Sequence, residues 1–285
     1  YPVNNLIELV EHLQGIKSIE PAGEVNFDFS NIEIPFDMAH IRGQEHVKRA
    51  MEIAAAGAHN MLMSGPPGSG KTLIARTMPS ILPNMTMEEA LELTKIYSVA
   101  GKLPTGAAMI KSRPFRSPHH TASGVAMVGG GTWPRPGEIS LAHRGVLFLD
   151  EFAEFPRQLL ENLRQPLEDG VIHISRAAGH LSFPAKFVLV AAMNPCPCGY
   201  AGDSEKSCGC SPSQTINYKK KISGPIIDRI DLHVEVPRVK FEKLAGGQAG
   251  ENSAAIKERV ERARKIQAER FANTPFITNS EMSSE

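Results

Sequence analysis

The segment Gly65-Pro66-Pro67-Gly68-Ser69-Gly70-Lys71-Thr72 puts flexible residues where a short apolar run, "MLM", should pass directly into a helix. It fits G-x-x-x-x-G-K-[ST], and each residue type in it has a physical task. Glycine reaches backbone torsions closed to other residues, so successive N–H groups can turn inward as a cradle for phosphate oxygens. A helix starting near Lys71 adds the positive end of its dipole. In such a cradle Lys71 reaches the β- and γ-phosphates of a nucleotide, and the Thr72 hydroxyl ligates Mg²⁺.

Asp150 and Glu151 follow four apolar residues, Val146 to Leu149, which read as a buried strand. The acids emerge at its carboxyl end, where open α/β sheets bind their ligands. Asp150 is expected to hold the Mg²⁺ hydration shell, and Glu151 to orient and deprotonate an attacking water. Asn194 closes another apolar run, "VLVAAMNP". A neutral amide there can position the water or touch the γ-phosphate without repelling it. Together these residues predict ATP hydrolysis with Mg²⁺.

Cys196, Cys198, Cys208 and Cys210 form a second group, spaced C-x-C, nine residues, C-x-C. Four thiolates on one short loop suit tetrahedral Zn²⁺ in a structural role. Four reduced thiols on a surface loop, or two disulfides, are the other readings. The clustering is not that of a secreted disulfide scaffold and points to a reducing cytoplasm.

These groups need elements to hold them. "MLMSG", "GVLFLDE", "FVLVAAMNP" and "IDLHVEV" read as buried strands, with helices predicted over "GQEHVKRAMEIAAAGA" and "KTLIARTMPSIL". Strands buried on both faces and alternating with helices imply a mostly parallel sheet sandwiched by helices. "PRQLLENLRQPLEDG" reads as one helix kinked near Pro166. "VIHISRAAGHLSF" reads as a β-hairpin turning at 177–179. An amphipathic helix is expected over "NNLIELVEHLQG", and another over "SAAIKERVERARKIQAERF", capped by Asn252 or Ser253. From Lys95 to Arg144 the chain is rich in Gly, Pro, Ser, His and Arg without strong periodicity, as functional segments often are.

The chain has 285 residues, enough for one large domain or one with a satellite. Lys plus Arg and Asp plus Glu both number 31, so net charge indicates no partner, and any nucleic-acid surface must be a local patch. No apolar run is long enough to span a bilayer, and no membrane association is expected. The sequence begins at Tyr1 and ends in polar residues, as an excised piece of a longer protein would.

GPPGSGKT, LFLDE and a strand-end Asn together resemble the AAA+ ATPases, a class of P-loop NTPase. "IRGQEHVKRAMEIAAAG" resembles their adenine-contacting segment, which makes Ile41 a candidate contact. More narrowly, "RPFRSPHHTAS", "GGGTWPRPGEISLAHRGVLFLDE", "LRQPLEDGVIHISRAAG", "AAMNPCPCGY" and "ISGPIIDRIDLHVEVPRV" resemble the magnesium-chelatase-like ComM/YifB group.

The resemblance implies a ring-forming ATPase, usually a hexamer of identical subunits, with each site completed by a neighbour. Arg229 matches the arginine finger acting in trans. It implies three parts: residues 1–36 as the tail of a truncated N-terminal domain, 37–238 as the αβα core, and 239–285 as the start of a partial C-terminal helical lid without its second sensor arginine. The segment around Arg113 to Trp133 matches an insert within the second core helix. The hairpin matches one that projects into the ring's pore, making Arg176 a candidate DNA contact. "YKKK", Tyr218 to Lys221, is a further basic cluster that either meets DNA or caps a helix. A DNA branch-migration or helicase motor in recombination or natural transformation is the leading expectation. Its rivals are a chelatase-type motor subunit driving metal insertion into a porphyrin and a nucleotide-gated scaffold. His119 and His120 are left unassigned, with phosphate or a neighbouring subunit as candidate partners.

Overall fold

The computed structural model describes residues 1–3, 5–21, 29, 34–131, 134–176, 179–239, 250–274 and 276–282. Residues 1–31 and 32–285 form separate compact units. The first contains α1 (Leu6–Leu13), started by the Asn5 side chain accepting from the Glu8 N–H. Leu6, Ile7, Val10 and Leu13 on this helix are all exposed.

The second unit carries α2 (Glu45–Gly57), β1 (Met61–Ser64), α3 (Lys71–Ile81), α4 (Met87–Val99) and β2 (Phe115–Arg116). It continues through α5 (Gly124–Val128), β3 (Gly129–Gly130), β4 (Arg135–Pro136), α6 (Glu138–Leu141), β5 (Val146–Leu149), α7 (Arg157–Glu161) and α8 (Arg164–Asp169). After these come β6 (Val171–Arg176), β7 (Gly179–Pro184), β8 (Val188–Met193), α9 (Pro212–Lys219), α10 (Gly224–Ile227), β9 (Leu232–Glu235) and α11 (Ser253–Arg270).

Five strands form one parallel sheet in the order β2-β5-β8-β1-β9. Because side chains alternate across a strand, its apolar runs feed two cores. Met61, Met63, Val146, Phe148, Val188, Val190 and Ala192 face α2, α3 and α11. Leu62, Leu147, Leu149, Leu189, Ala191 and Met193 face the other layer, with Phe152, Leu160, Ile174 and Tyr218. Burying a side chain such as Phe148 contributes about 2–3 kcal/mol, so the central strands are strongly held.

Several elements differ from expectation. The predicted kinked helix is two short ones, α7 and α8, with Asn162 and Leu163 between them. The break precedes Pro166 because proline fits the first turn of a new helix, where its missing N–H has no partner to lose. The aperiodic stretch holds real structure. Helix α4, started by a reciprocal Thr86–Glu89 capping box, runs into it.

Residues Phe115–Arg116 of that stretch belong to the main sheet, beside Val146 and Leu147. Arg113 is a clamp: Nε donates to Pro83 O at 2.6 Å, Nη1 to Arg144 O at 2.7 Å, and Nη2 meets Glu89 at 2.8 Å. The two-residue ribbon β3-β4 separates α5 from α6, which pack together. Trp133 lies outside the described residues.

α11 is capped by Asn252, whose Oδ1 accepts from the Ala255 N–H at 2.9 Å. Its Ile256 and Val260 pack into the core against α2 and α3. Residues 240–249, in the expected lid, lie outside the described residues. No described helix is long and apolar enough to cross a membrane.

Candidate functional site

Three strand ends, those of β1, β5 and β8, converge at the carboxyl edge of the sheet. Beyond Ser64 the chain turns at Gly65, where an added Cβ would lie 2.1 Å from the Val236 carbonyl oxygen, so only glycine fits. Gly68 and Gly70 have φ of +77° and +89°, the left-handed torsions the motif requires. Gly70 caps α3 with no side-chain acceptor, so the first-turn N–H groups have no intrahelical partner.

Lys71 folds back into this loop and is only 8% exposed. Its Nζ donates to Gly65 O at 2.7 Å, Pro66 O at 2.9 Å and Asn194 Oδ1 at 3.5 Å. All three acceptors are neutral. Burial lowers the ammonium's pKa, and the nearby Asp150 charge works against that. The Thr72 hydroxyl donates to Asp150 Oδ2 at 2.7 Å. The buried Ser69 Oγ has no partner among the described residues.

Glu151 follows with φ of 52°, a left-handed conformation rare outside glycine. Its N–H donates to Asp150 Oδ1 at 2.9 Å, and its Oε2 lies 2.9 Å from His120 Nδ1. The structure thus brings Lys71, Thr72, Asp150, Glu151 and Asn194 together, and adds His120. Sequence reasoning left that histidine without a role. It stands in a segment without periodicity, far along the chain from Glu151, so no spacing signal existed to find it. His119 lies against it with its ring tilted by 34°, centroids 4.1 Å apart, and bonds Thr121.

The remaining predicted residues sit on further elements. Ile41 caps a 3₁₀ turn over Met38–His40 and is 5% exposed, its side chain packed in the core facing α2. Nearby Gln44 donates from Nε2 to Pro237 O at 2.5 Å, while its buried Oε1 has no partner among the described residues.

Arg229 pairs with Glu168 of its own chain. Its carbonyl accepts from Asn60 Nδ2 at 2.9 Å, and Asn60 Oδ1 accepts from the Leu189 N–H at 2.9 Å. This roots Arg229 at the amino end of β1, a strand's length (about 13–15 Å) from the glycine loop at the other end. Arg176 closes β6 at the far end of the hairpin, with turn residues 177 and 178 outside the described residues. In the basic cluster, Lys221 pairs with Glu154 at 2.9 Å and stands over the buried Tyr218 ring, which favours the helix-end reading.

The four cysteines come together at the end of β8. The Sγ of Cys196 lies 3.4 Å from that of Cys198 and 3.7 Å from that of Cys208, and Cys198 to Cys208 is also 3.7 Å. All four sulfurs lie within 4.8 Å of one another, and all four are free thiols, which sets the disulfide reading aside. Sulfurs around tetrahedral zinc stand about 3.8 Å apart, from Zn–S bonds of about 2.3 Å. Backbone N–H groups of Ala201 and Cys210 donate to Cys196 and Cys208 sulfurs. A hydrogen bond from the Tyr200 backbone and another from Cys196 draw the Cys198 thiol down, while contacts within the cluster push those of Cys208 and Cys210 up.

The sheet order and the glycine loop between β1 and α3 define an α/β protein of the AAA+ class. Residues 37–244 match the family described as magnesium chelatase, subunit ChlI, and the chain belongs to that family. It is 46% identical over 288 residues to competence protein ComM of Haemophilus influenzae, spanning 98% of this chain and 55% of that protein. It is 49% identical over 236 residues to YifB of Escherichia coli, spanning 82% and 46%. The chain therefore spans about half the length of the curated relatives it matches. The magnesium-chelatase 38 kDa subunit of Cereibacter sphaeroides is 27% identical over 180 residues. Among solved structures, the complex between subunits BchI and BchD of magnesium chelatase shares the fold, with a TM-score of 0.53 at 21% identity over 85% of this chain and 78% of that one.

Proposed function

We propose that this chain is the ATPase core of a ComM-like ring motor that hydrolyses ATP to move DNA. The observation carrying the ATP reading is Lys71, a buried cation held by neutral oxygens of the glycine loop, at the start of a helix whose first N–H groups have no intrahelical partner. A triphosphate would supply the missing counter-charge. The partnerless Ser69 Oγ in the loop, and Gln44 Oε1 near the strand edge, are polar atoms such a ligand could meet.

Mg²⁺ fits the same site: Thr72 and Asp150 offer a hydroxyl and a carboxylate already in contact, the hard oxygen donors it prefers. When bound, it would neutralise charge on the β- and γ-phosphates. Glu151 would take the proton of the attacking water, with His120 holding its carboxylate in place. Asn194, beside Lys71 Nζ, would orient that water or the γ-phosphate.

Arg229 is rooted too far from its own loop to reach it, so we assign it to a neighbour's phosphates, as in a hexameric ring. Zn²⁺ at the four cysteines, held in a reducing cytoplasm, is the metal reading their spacing supports. Arg176 is the proposed DNA contact, residues 1–36 the end of a preceding domain, and 239–285 the entry to a helical lid.

The DNA substrate rests on relatedness to ComM, whose name speaks of competence. ATP turnover of the full-length protein, with and without branched DNA, tests it. Turnover should rise with branched DNA and strands should exchange. Turnover indifferent to DNA, without strand exchange, would refute the DNA role.

A further inference from the structure

The loop that carries the thiols also rests on the phosphate loop. It follows β8, its first cysteine two residues after Asn194, whose amide lies beside Lys71 Nζ. Cys196 is fully buried, and the Gly199 N–H donates back to its carbonyl at 3.0 Å. That turn presses Gly199, at φ of +84°, flat against Pro67: an added Cβ would lie 2.7 Å from Pro67 Cδ.

Further along, the Asp203 carboxylate accepts from the Glu205 and Lys206 N–H groups and meets Arg238 Nη2 at 3.4 Å. The same Nη2 donates to Pro67 O at 3.4 Å, and Arg238 Nε faces Glu205 at 3.5 Å. Pro67 is thus touched directly by Gly199 of this loop and by Arg238, which Asp203 of the loop in turn holds. Among the described residues, the loop's other ties outside the sulfur cluster are short turns, Lys206 over the Tyr200 ring and these contacts.

We infer that residues 196–210 form a metal-ordered brace for the phosphate loop, so that zinc on Cys196, Cys198, Cys208 and Cys210 sets the loop's affinity for nucleotide. Four thiolates drawn onto one ion fix the positions of Gly199 and Asp203, which the two C-x-C pairs enclose. Without the ion, four mutually close sulfurs have no reason to stay together. Gly199 then lifts from Pro67, Arg238 loses its carboxylate, and the loop closing over the phosphates loses its outer wall. The inference rests on the nucleotide and zinc readings above.

Zinc is counted first, by mass spectrometry of protein purified without added metal. About one ion per chain is expected of a structural site, and below roughly 0.2 the inference is overturned. Fluorescent-nucleotide titration then compares the purified protein, the same protein stripped by a chelator, and the stripped protein after zinc is returned. Stripping should weaken binding at least about tenfold, with zinc restoring it, while far-UV circular dichroism stays constant. Equal affinity with and without zinc overturns the brace.

Gly199→Ala supplies an arm independent of the thiols. It should keep its zinc and still bind nucleotide about tenfold more weakly; wild-type affinity would overturn the contact at Pro67. If stripping unfolds the protein, this variant decides. A zinc-loaded wild-type protein that binds no nucleotide would end the ATP reading and the brace with it. Nucleotide binding at undiminished affinity by a protein free of zinc would end the brace alone.

Discussion

Replacing Lys71 with methionine separates two roles that a buried lysine can have. As a structural strut, its loss would undo the fold; as a phosphate ligand, its loss should matter only when nucleotide arrives. In the structure its Nζ meets three neutral oxygens and no carboxylate among the described residues pairs with it. Methionine fills the space of the stem, and the Gly65 and Pro66 carbonyls can turn to water. Stability without nucleotide should therefore change by no more than about 1 kcal/mol.

Binding is different. Two charge-assisted bonds from Nζ to phosphate are worth about 3–6 kcal/mol, a loss of roughly 10²–10⁴ in affinity. Thermal unfolding reads both quantities. At a nucleotide concentration 100 times the wild-type Kd, the wild type gains about 2.7 kcal/mol of stability; a variant bound 100-fold more weakly gains about 0.4 kcal/mol. A nucleotide-free variant destabilised by more than about 3 kcal/mol would make Lys71 a strut. Affinity within twofold of wild type would mean that the loop does not hold phosphate.

Glu151→Gln should keep nucleotide affinity and slow turnover by at least about 10²; unchanged turnover in a steady-state phosphate assay would identify another base. His120→Ala, which frees the Glu151 carboxylate, should lower kcat roughly three- to tenfold with affinity unchanged, and a parallel fall in affinity would place His120 in binding instead. Arg229→Ala should lower turnover by roughly 10³. Mixing it with Glu151→Gln protein should restore some activity, and no recovery would argue against a finger acting between subunits.

His143 gives a pH test. Burial brings its imidazole down to about 4, with Nδ1 accepting from the Lys186 N–H and Nε2 facing Glu92. Between pH 6.5 and 4 the unfolded chain takes up a proton that the folded one refuses, so stability falls as pH drops, by about 3 kcal/mol over that window. Denaturant titrations of His143→Gln should show that part of the slope removed.

The sheet was legible because β1, β5 and β8 are buried on both faces, which forces unbroken apolar runs. β2 was not, since two residues carry no period, and its place in the sheet comes from pairing with Val146 and Leu147. α4 had a readable start in Thr86 and Glu89, and its apolar residues are too scattered to have drawn notice. The loop, the two acids and Asn194 stood out because each follows an apolar strand. Their convergence is a consequence of parallel topology, which brings all carboxyl ends to one edge. His120 obeys no such rule. The thiol spacing was visible, whereas the contact of Gly199 with Pro67 depends on a turn whose path composition does not encode.

The left-handed backbone at Glu151 has a consequence for engineering. A side chain held there carries about 1–2 kcal/mol of strain, part of which glycine would relieve. Exchanging Glu151 for glycine should therefore give a chain that melts higher, by up to about 1 kcal/mol after the added freedom of its unfolded form is counted. It would also be inert. Selection for thermal tolerance alone would drift toward that sturdier, idle protein, and only selection on turnover would keep the acid in place.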